Sequence, residues 1–347
     1  AWVYGANTLG AVAGTLVTGF WGIEWLGVRG WLVLSAGVAT LVGAIAAAVG
    51  ARTRLPTLAR TVGEPAPGAR ALPLRPALGA AALCGGIGLA IEVTGFRILV
   101  FFVEGFTATF SAMLAVFILG LGLGSLLLGP RLVRSKRPDH RLGQLLPPVA
   151  GLLLLGATWV VPNLERWLGS FREGIYSRVA GEAAVQAGLR WTALAGSAAL
   201  LFLPALLLGA TFPLCVRWAE RAGLPPGRAV GRVYLYNSLG TIAAPFLFAF
   251  VVIPLGGLAR AWEIVFALTL CTGVWLLSRR ALGRLSLAVF LLPLLGVGSL
   301  LVLPGDSSDR IVAASHVLVG HPERRLVDVR TDAVTTASVV EAPGAQK

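Results

Sequence analysis

The amino-acid sequence predicts an all-α integral membrane protein. Of its 347 residues, 56% are hydrophobic and 13% are charged, whereas an ordinary soluble domain carries about 25% charged residues. Nine apolar runs are long enough to cross roughly 30 Å of hydrocarbon as helices. These runs are continuous, without the short alternating strands of a transmembrane β-barrel. We therefore expect about nine transmembrane helices.

The order of the runs along the chain, together with the charges between them, predicts their orientation. The runs lie at residues 4–26, 29–50, 78–103, 107–130, 144–163, 190–216, 230–254, 259–279 and 283–303. Arginine-rich connections alternate with connections that are short or carry no net charge. The basic connections are 51–77, 131–143, 217–229 and 280–282. The positive-inside rule places these four in the cytoplasm.

The long connection 164–189 has balanced charges and is predicted to lie outside. Apolar residues recur in it at helical spacing: Leu164, Trp167, Leu168, Phe171, Ile175 and Val179. This pattern predicts a short amphipathic helix, either lying on the outer membrane surface or packed over the ends of the spans. Tryptophans fall at the outward ends of the spans, as in an aromatic belt. They are Trp21, Trp25, Trp31, Trp159, Trp167, Trp191 and Trp262.

Two stretches of the chain share one sequence pattern. Tyr4, Asn7, Leu9, Gly10, Ala13, Phe20 and Gly27 recur as Tyr234, Asn237, Leu239, Gly240, Ala243, Phe250 and Gly257, at a constant offset of 230 residues. Both stretches start on the predicted cytoplasmic side, so the repeat is parallel, with an axis along the membrane normal. The predicted organisation has the last two helices of a first repeat at 1–50 and a basic cytoplasmic linker at 51–77. A complete six-helix second repeat follows at 78–279, then an extra transmembrane helix at 283–303 and an extracytoplasmic tail at 304–347.

Several segments resemble one family of membrane proteins. They are GATFP at 209–213, GRVYLYNSLG at 231–240 and YGANTLG at 4–10, together with 92–97 and 117–125. These segments are similar to the fused proteins that join a major-facilitator-like helical region to a C-terminal spermidine-synthase-like domain. The resemblance implies a major-facilitator-like parallel repeat of six-helix halves, of which one half is complete here and the earlier half is truncated.

The tail is predicted to begin a β-type structure without completing a catalytic domain. Residues 328–340 alternate in part and carry β-branched side chains, which favours a strand, and 331–341 is similar to the opening strand of the synthase-like domain. A nucleoside-binding fold would need a glycine-rich turn after a strand and an acidic residue about twenty positions later, and 305–347 has neither. We expect this chain not to be an enzyme and to bind no cofactor.

Glu92 and Arg97 are the leading candidate functional residues, because a charged residue at membrane depth costs about 2.5–3.5 kcal/mol on insertion scales. Five positions apart on a helix, they lie about 140° apart around its axis, so each can find a partner on another helix. They form either a charge pair or relay lining a cavity, or a buried structural ion pair. The sequence leaves both open.

The other candidates are residues that position helices. Asn7 and Asn237 are buried polar partners in the repeat, where an amide can hydrogen-bond across helices. Small residues at four-residue spacing allow close helix approach, and the predicted helix-packing glycines are Gly10, Gly14, Gly120, Gly124 and Gly240. Glu24, Glu104 and Glu263 fall at outer ends of spans, where we expect them to be solvated. No His or Cys pattern has metal-ligand spacing, so no metal site is predicted.

Two functions remain open at this stage. The first is a non-catalytic polytopic scaffold or anchor, for a spermidine-synthase-like domain or within a larger membrane complex. The alternative is a transporter-like domain for a small polar or cationic solute such as a polyamine. The net charge of +13 lies in short clusters between apolar runs, so the expected partners are the lipid bilayer and other membrane subunits, and not nucleic acid. We expect the protein in a bacterial inner (plasma) membrane.

Overall fold

The computed structural model describes residues 2–52, 74–103, 106–134, 146–178, 181–278, 325–331 and 336–341. The α-helices are α1 (Trp2–Val17), α2 (Ile23–Arg52), α3 (Leu74–Leu99), α4 (Phe106–Leu123), α5 (Gly129–Arg134), α6 (Leu146–Tyr176), α7 (Glu182–Ser197), α8 (Leu203–Gly209), α9 (Thr211–Arg221), α10 (Pro226–Leu247) and α11 (Ile253–Ser278). Four π-helical turns continue helices: π1 (Thr18–Gly22), π2 (Gly124–Leu128), π3 (Ala198–Phe202) and π4 (Phe248–Val252). Strands β1 (Arg325–Thr331) and β2 (Thr336–Glu341) follow.

Among the described residues, five helical stretches are long and apolar enough to cross a membrane. They are Asn7–Arg52, Leu74–Leu99, Thr107–Arg131, Ala184–Arg221 and Pro226–Leu276. The prediction of an all-helical protein with several long apolar helices is confirmed as far as residue 278. The ninth apolar run, 283–303, and most of the basic linker 51–77 lie outside the described residues, so the count of nine transmembrane helices stays a prediction.

The two sequence repeats share the same unusual backbone features at the same offset. Gly27 and Gly257 each interrupt a helix with a positive φ, 64° and 75°, and with ψ values of 169° and 170°. A side chain with a Cβ rarely adopts this conformation, which glycine allows. The π-helical turns π1 and π4 precede these breaks by the same number of residues, and π-helices are rare. The sequence similarity therefore extends to the local fold of both helix pairs.

The glycine breaks divide two very long stretches into helix pairs. The stretch Asn7–Arg52 has 46 residues and Pro226–Leu276 has 51, and an unbroken helix of that length would measure about 70 Å, more than twice the hydrocarbon thickness. The break at Gly27 falls between the predicted runs 4–26 and 29–50, and the break at Gly257 falls between the predicted runs 230–254 and 259–279. Each stretch thus supplies two lengths of helix, as the apolar runs predict.

The predicted amphipathic helix after the fifth run is not a separate element. α6 runs without interruption from Leu146 to Tyr176, 31 residues, which extends about 46 Å at a rise of about 1.5 Å per residue. Leu164 and Leu168 are buried in the main apolar core. Of the two interpretations left open by the sequence, the structure favours the helix that packs over the ends of the spans.

The helices of 74–278 surround a large apolar core and a second, smaller apolar cluster. α3 contacts α10, α11, α9 and α4, while α6 contacts α11, α7 and α8. The largest fully buried side chains are Phe102, Phe117, Phe248, Phe266, Ile91, Ile98, Leu99, Met113, Leu154, Leu164, Leu200 and Leu201. α1 joins this body by packing on α4, whereas α2 has no buried residue.

The tail forms a two-stranded antiparallel hairpin instead of one strand. β1 pairs with β2, and its partners include Arg330 opposite Ala337 and Thr331 opposite Thr336. The predicted strand 328–340 spans both strands and the connection between them. β1 also contacts α11, so the hairpin is in touch with the helical region.

Candidate functional site

Glu92 lies on α3 in a half-buried position. Seven residues separate it from Gly85, so both lie on the same face of α3, two turns apart. At Gly85 this face contacts Asn237 of α10. A Cβ added at Gly85 would be 2.8 Å from Asn237 Oδ1. Glu92 therefore lies about 10 Å along α3 from the contact between Gly85 and Asn237, on the same side of the helix.

Arg97 does not pair with Glu92. Among the described residues Glu92 has no ion pair within 4.0 Å, whereas Arg97 has an interaction of its own. Their separation of about 140° around the helix axis accounts for this. The expectation that each residue can find a partner on another helix stays a prediction, as do both functional roles.

Asn7 and Asn237 occupy equivalent repeat positions but different surroundings. Asn237 is half-buried, and its backbone carbonyl also accepts the Thr241 hydroxyl at 2.9 Å. Asn7 is exposed. Among the described residues no neighbour buries Asn7, so the expected burial of both amides is seen in part for Asn237 and stays a prediction for Asn7.

The helix-packing glycines also fall into two groups. A Cβ at Gly240 would overlap the carbonyl oxygen of Ala82 on α3, and one at Gly124 would overlap the carbonyl oxygen of Leu206 on α8. At Gly120 it would lie 2.8 Å from the Ala205 Cβ. At these three positions the backbones of neighbouring helices touch, which only the absence of a side chain permits.

Gly10 and Gly14 make no such contact with the residues the structure describes. A Cβ at either would meet nothing within 4 Å, although Gly10 is the repeat counterpart of Gly240. The helix contact predicted at these two glycines is not made in this structure. The physical reason is that α1 turns a different face toward the body of the protein than α10 does.

A polar cluster joins π1 and α2 to α7. Arg190 Nη2 lies 2.8 Å from Glu24 Oε2. The same guanidinium carbon lies 5.3 Å from the ring centroid of Trp21 and 6.0 Å from that of Phe20, within the range of cation–π attraction. Glu24 is 52% exposed, so it is solvated as predicted and paired as well.

We expect this cluster to depend on Arg190 more than on Glu24. Arg190→Ala removes an ion pair and two ring contacts and should lower the free energy of unfolding by about 1–2 kcal/mol. Glu24→Gln removes only a solvent-screened pair, worth about 0–1 kcal/mol. The measurement is thermal unfolding in detergent, with Arg166→Ala on exposed Arg166 as the control. Equal losses from Glu24→Gln and Arg190→Ala would show that the ion pair, and not the ring contact, dominates.

Two residues that the sequence places at the outer ends of spans are buried, contrary to expectation. Trp262 is 3% exposed and its Nε1 donates to the Leu154 carbonyl at 3.2 Å, so it is not part of an aromatic belt. Glu263 is 5% exposed and has an interaction within the protein; it is not solvated. Both residues lie on α11, which packs against α6. Trp21, Trp25, Trp167 and Trp191 are exposed as a belt requires.

Glu165 and Arg172 form a buried pair that the sequence analysis did not single out. Arg172 Nη2 lies 2.6 Å from Glu165 Oε1, and the Glu165 side chain is 7% exposed. The pair is seven residues apart on one helix and therefore on one face. The seven-residue spacing of Glu165 and Arg172 would have predicted this pair if the sequence had indicated that α6 continues through both residues.

The fold and these contacts define a class: a polytopic α-helical protein with long apolar helices, suited to contact a lipid bilayer. No family model, curated protein or solved structure matches this chain. The described residues also contain no group of three His, Cys, Asp or Glu side chains that could hold a metal ion.

Proposed function

We propose that this chain is a polytopic membrane scaffold or anchor without catalytic activity of its own. The observation that carries the proposal is the interior of 74–278, where the largest fully buried side chains are all apolar and the buried carboxylates Glu165 and Glu263 each interact within the protein. The helices are also joined through backbone contacts at Gly120, Gly124 and Gly240. Such contacts favour a rigid body over one that rearranges, because any side chain at these points forces the helices apart.

The positions of the acidic groups support the same proposal. Among the described residues, Glu24 and Glu165 pair with arginines, and Glu92 and Glu263 are the acidic residues that lie within long apolar helices. A transporter driven by protons or sodium usually has several intramembrane acidic groups or interrupted helices at mid-depth. The resemblance to the fused proteins adds the expectation that the anchored partner is a spermidine-synthase-like domain or another membrane subunit.

Transport of a small polar or cationic solute is the second candidate, and Glu92 is the observation that favours it. A half-buried carboxylate on the same helix face as the Gly85 to Asn237 contact is suited to bind a cation. The resemblance suggests a polyamine. The two candidates differ in whether Glu92 matters to the movement of a solute.

Uptake of labelled spermidine into proteoliposomes, with a pH or sodium gradient, discriminates between them. The scaffold proposal expects no uptake above protein-free vesicles, and no difference between the wild type, Glu92→Gln and a control Glu173→Gln at an exposed carboxylate. Uptake that Glu92→Gln abolishes while the protein stays folded would overturn the scaffold and establish transport. A loss of about 3 kcal/mol of stability in Glu92→Gln would instead indicate a structural charge.

We also propose that the protein is integral to a bacterial inner membrane and that its tail is extracytoplasmic. The basic connections and the parity of nine spans support this placement. A specific protease site inserted between residues 312 and 313 should be cut from outside in sealed right-side-out vesicles, as should one inserted after Ser177. A site after Arg60 should be protected. Protection at 312 with cleavage after Ser177 would contradict the predicted path of the run 283–303.

A further inference from the structure

The helix break at Gly27 is bridged by a side chain from the arm that follows it. The indole Nε1 of Trp31 donates to the hydroxyl of Thr18, on the other side of the break, at 2.6 Å. The same ring lies on Gly22, where an added Cβ would be 2.9 Å from three atoms of the indole. Trp31 thus joins α2 to π1 across the break by a hydrogen bond and a ring contact.

The segment that receives Trp31 is itself fixed to the body of the protein. In π1, Phe20 is buried, and a Cβ at Gly19 would overlap the side chain of Ser111 on α4. At the start of α2, Glu24 pairs with Arg190 of α7. Both contact points of the indole therefore lie in a part of the chain that α4 and α7 hold in place.

The arm that follows the break is exposed along its length. Each residue from Leu32 to Arg52 is exposed, whereas Trp31 is half-buried. The sequence placed Trp31 in an outer aromatic belt, but its ring is turned onto Gly22. Trp31 is therefore the residue through which the structure ties this arm to π1.

The second repeat fixes the same kind of break in another way. Gly257 has the same backbone conformation as Gly27. By the offset of 230, the positions of Thr18, Gly22 and Trp31 are occupied there by Phe248, Val252 and Ala261. Phe248 and Ala261 are buried in the main apolar core, and α11 packs on α3 and α6. Neighbouring helices thus hold the arm of the second repeat, whereas residues flanking the break hold the arm of the first.

We propose that Trp31 clamps the α1–α2 hairpin, so that the angle between its arms is set within residues 18–31 and not by what packs against α2. A glycine break alone permits several backbone conformations, so a further contact must select one. A sheltered indole N–H requires an acceptor, and opening the clamp would remove the one that Thr18 supplies. A partner of a scaffold, or the rest of a transporter, then meets an α2 whose direction is already fixed, which lowers the entropy cost of docking.

The distance between spin labels on the two arms tests the clamp. The full chain, in lipid nanodiscs, carries labelled cysteines in place of the exposed residues Ala11 and Ala46. The background is Cys271→Ser, because Cys271 is exposed while the other two cysteines are buried. Double electron–electron resonance gives the distance distribution between the labels. A second pair, at Ala11 and the exposed Gly156 of α6, reports whether α1 stays docked.

Three variants attack the clamp at different points. Trp31→Ala removes the indole, Gly22→Ala places a Cβ where the ring lies, and Thr18→Val removes the acceptor while keeping the shape of the side chain. Trp25→Ala is the matched control, because Trp25 lies close to the break in sequence but is 76% exposed.

The expected result is one narrow distribution between the arms in the wild type and in Trp25→Ala, and a broader one in each of the three clamp variants. The distance from Ala11 to Gly156 should stay the same throughout. A distribution as narrow as the wild type in Trp31→Ala, or in both Gly22→Ala and Thr18→Val, would overturn the proposal. So would a changed distance from Ala11 to Gly156, since Trp31 would then hold α1 on the body and not the angle of the hairpin.

Discussion

Gly240→Ala is expected to destabilise the helical region by about 1–3 kcal/mol, the usual cost of overpacking a filled contact. The new Cβ would overlap the carbonyl oxygen of Ala82 and lie 3.1 Å from the Gly86 nitrogen. Both atoms belong to the α3 backbone, so they cannot rotate away, and the two helices must separate. Alanine is favoured over glycine by about 1 kcal/mol in a helix. A net loss of stability in Gly240→Ala would therefore show that the clash with α3 outweighs the higher helix propensity of alanine.

Gly156→Ala is the matched control for this substitution. Gly156 lies in α6, is exposed, and a Cβ there would meet nothing within 4 Å among the described residues. Its replacement should leave stability unchanged or raise it slightly. The measurement is the temperature at which half of the detergent-solubilised protein leaves the monodisperse peak in size-exclusion chromatography. Equal behaviour of the two variants would contradict the close contact of α3 and α10.

Arg172→Met is expected to cost about 3 kcal/mol of unfolding free energy, because it leaves the buried Glu165 carboxylate without the cation 2.6 Å away. The methionine keeps most of the apolar stem, so lost packing contributes little. Arg178→Met is the control, since Arg178 is exposed and donates to the Gly174 carbonyl.

The double variant Glu165→Leu/Arg172→Met sharpens this test. Replacing both members of a buried pair by apolar residues is often neutral or stabilising. The double variant should therefore be more stable than Arg172→Met alone, as measured by chemical or thermal unfolding. A double variant as unstable as the sum of the two single changes would show that the charges do not interact across α6.

The sequence by itself determined the helical content and where the long helices break. Hydropathy depends on residue type alone, so a run of apolar residues predicts a helix of membrane length whatever surrounds it. Glycine at Gly27 and Gly257 permits a backbone conformation that other residues rarely adopt, and both breaks fall at the predicted connections. The repeat, read as residue identities, reappears in the positions of π1 and π4.

Only the tertiary structure decided which faces of the helices touch. Gly10 and Gly240 are the same residue at equivalent positions, yet one is open and the other touches α3. Lipid tails and protein interiors are similarly apolar, so hydropathy cannot tell a helix face that meets lipid from one that meets another helix. The burial of Trp262, Glu263 and Glu165 is likewise decided by tertiary packing, because a polar residue near a span end is solvated or buried according to which helices pack against it.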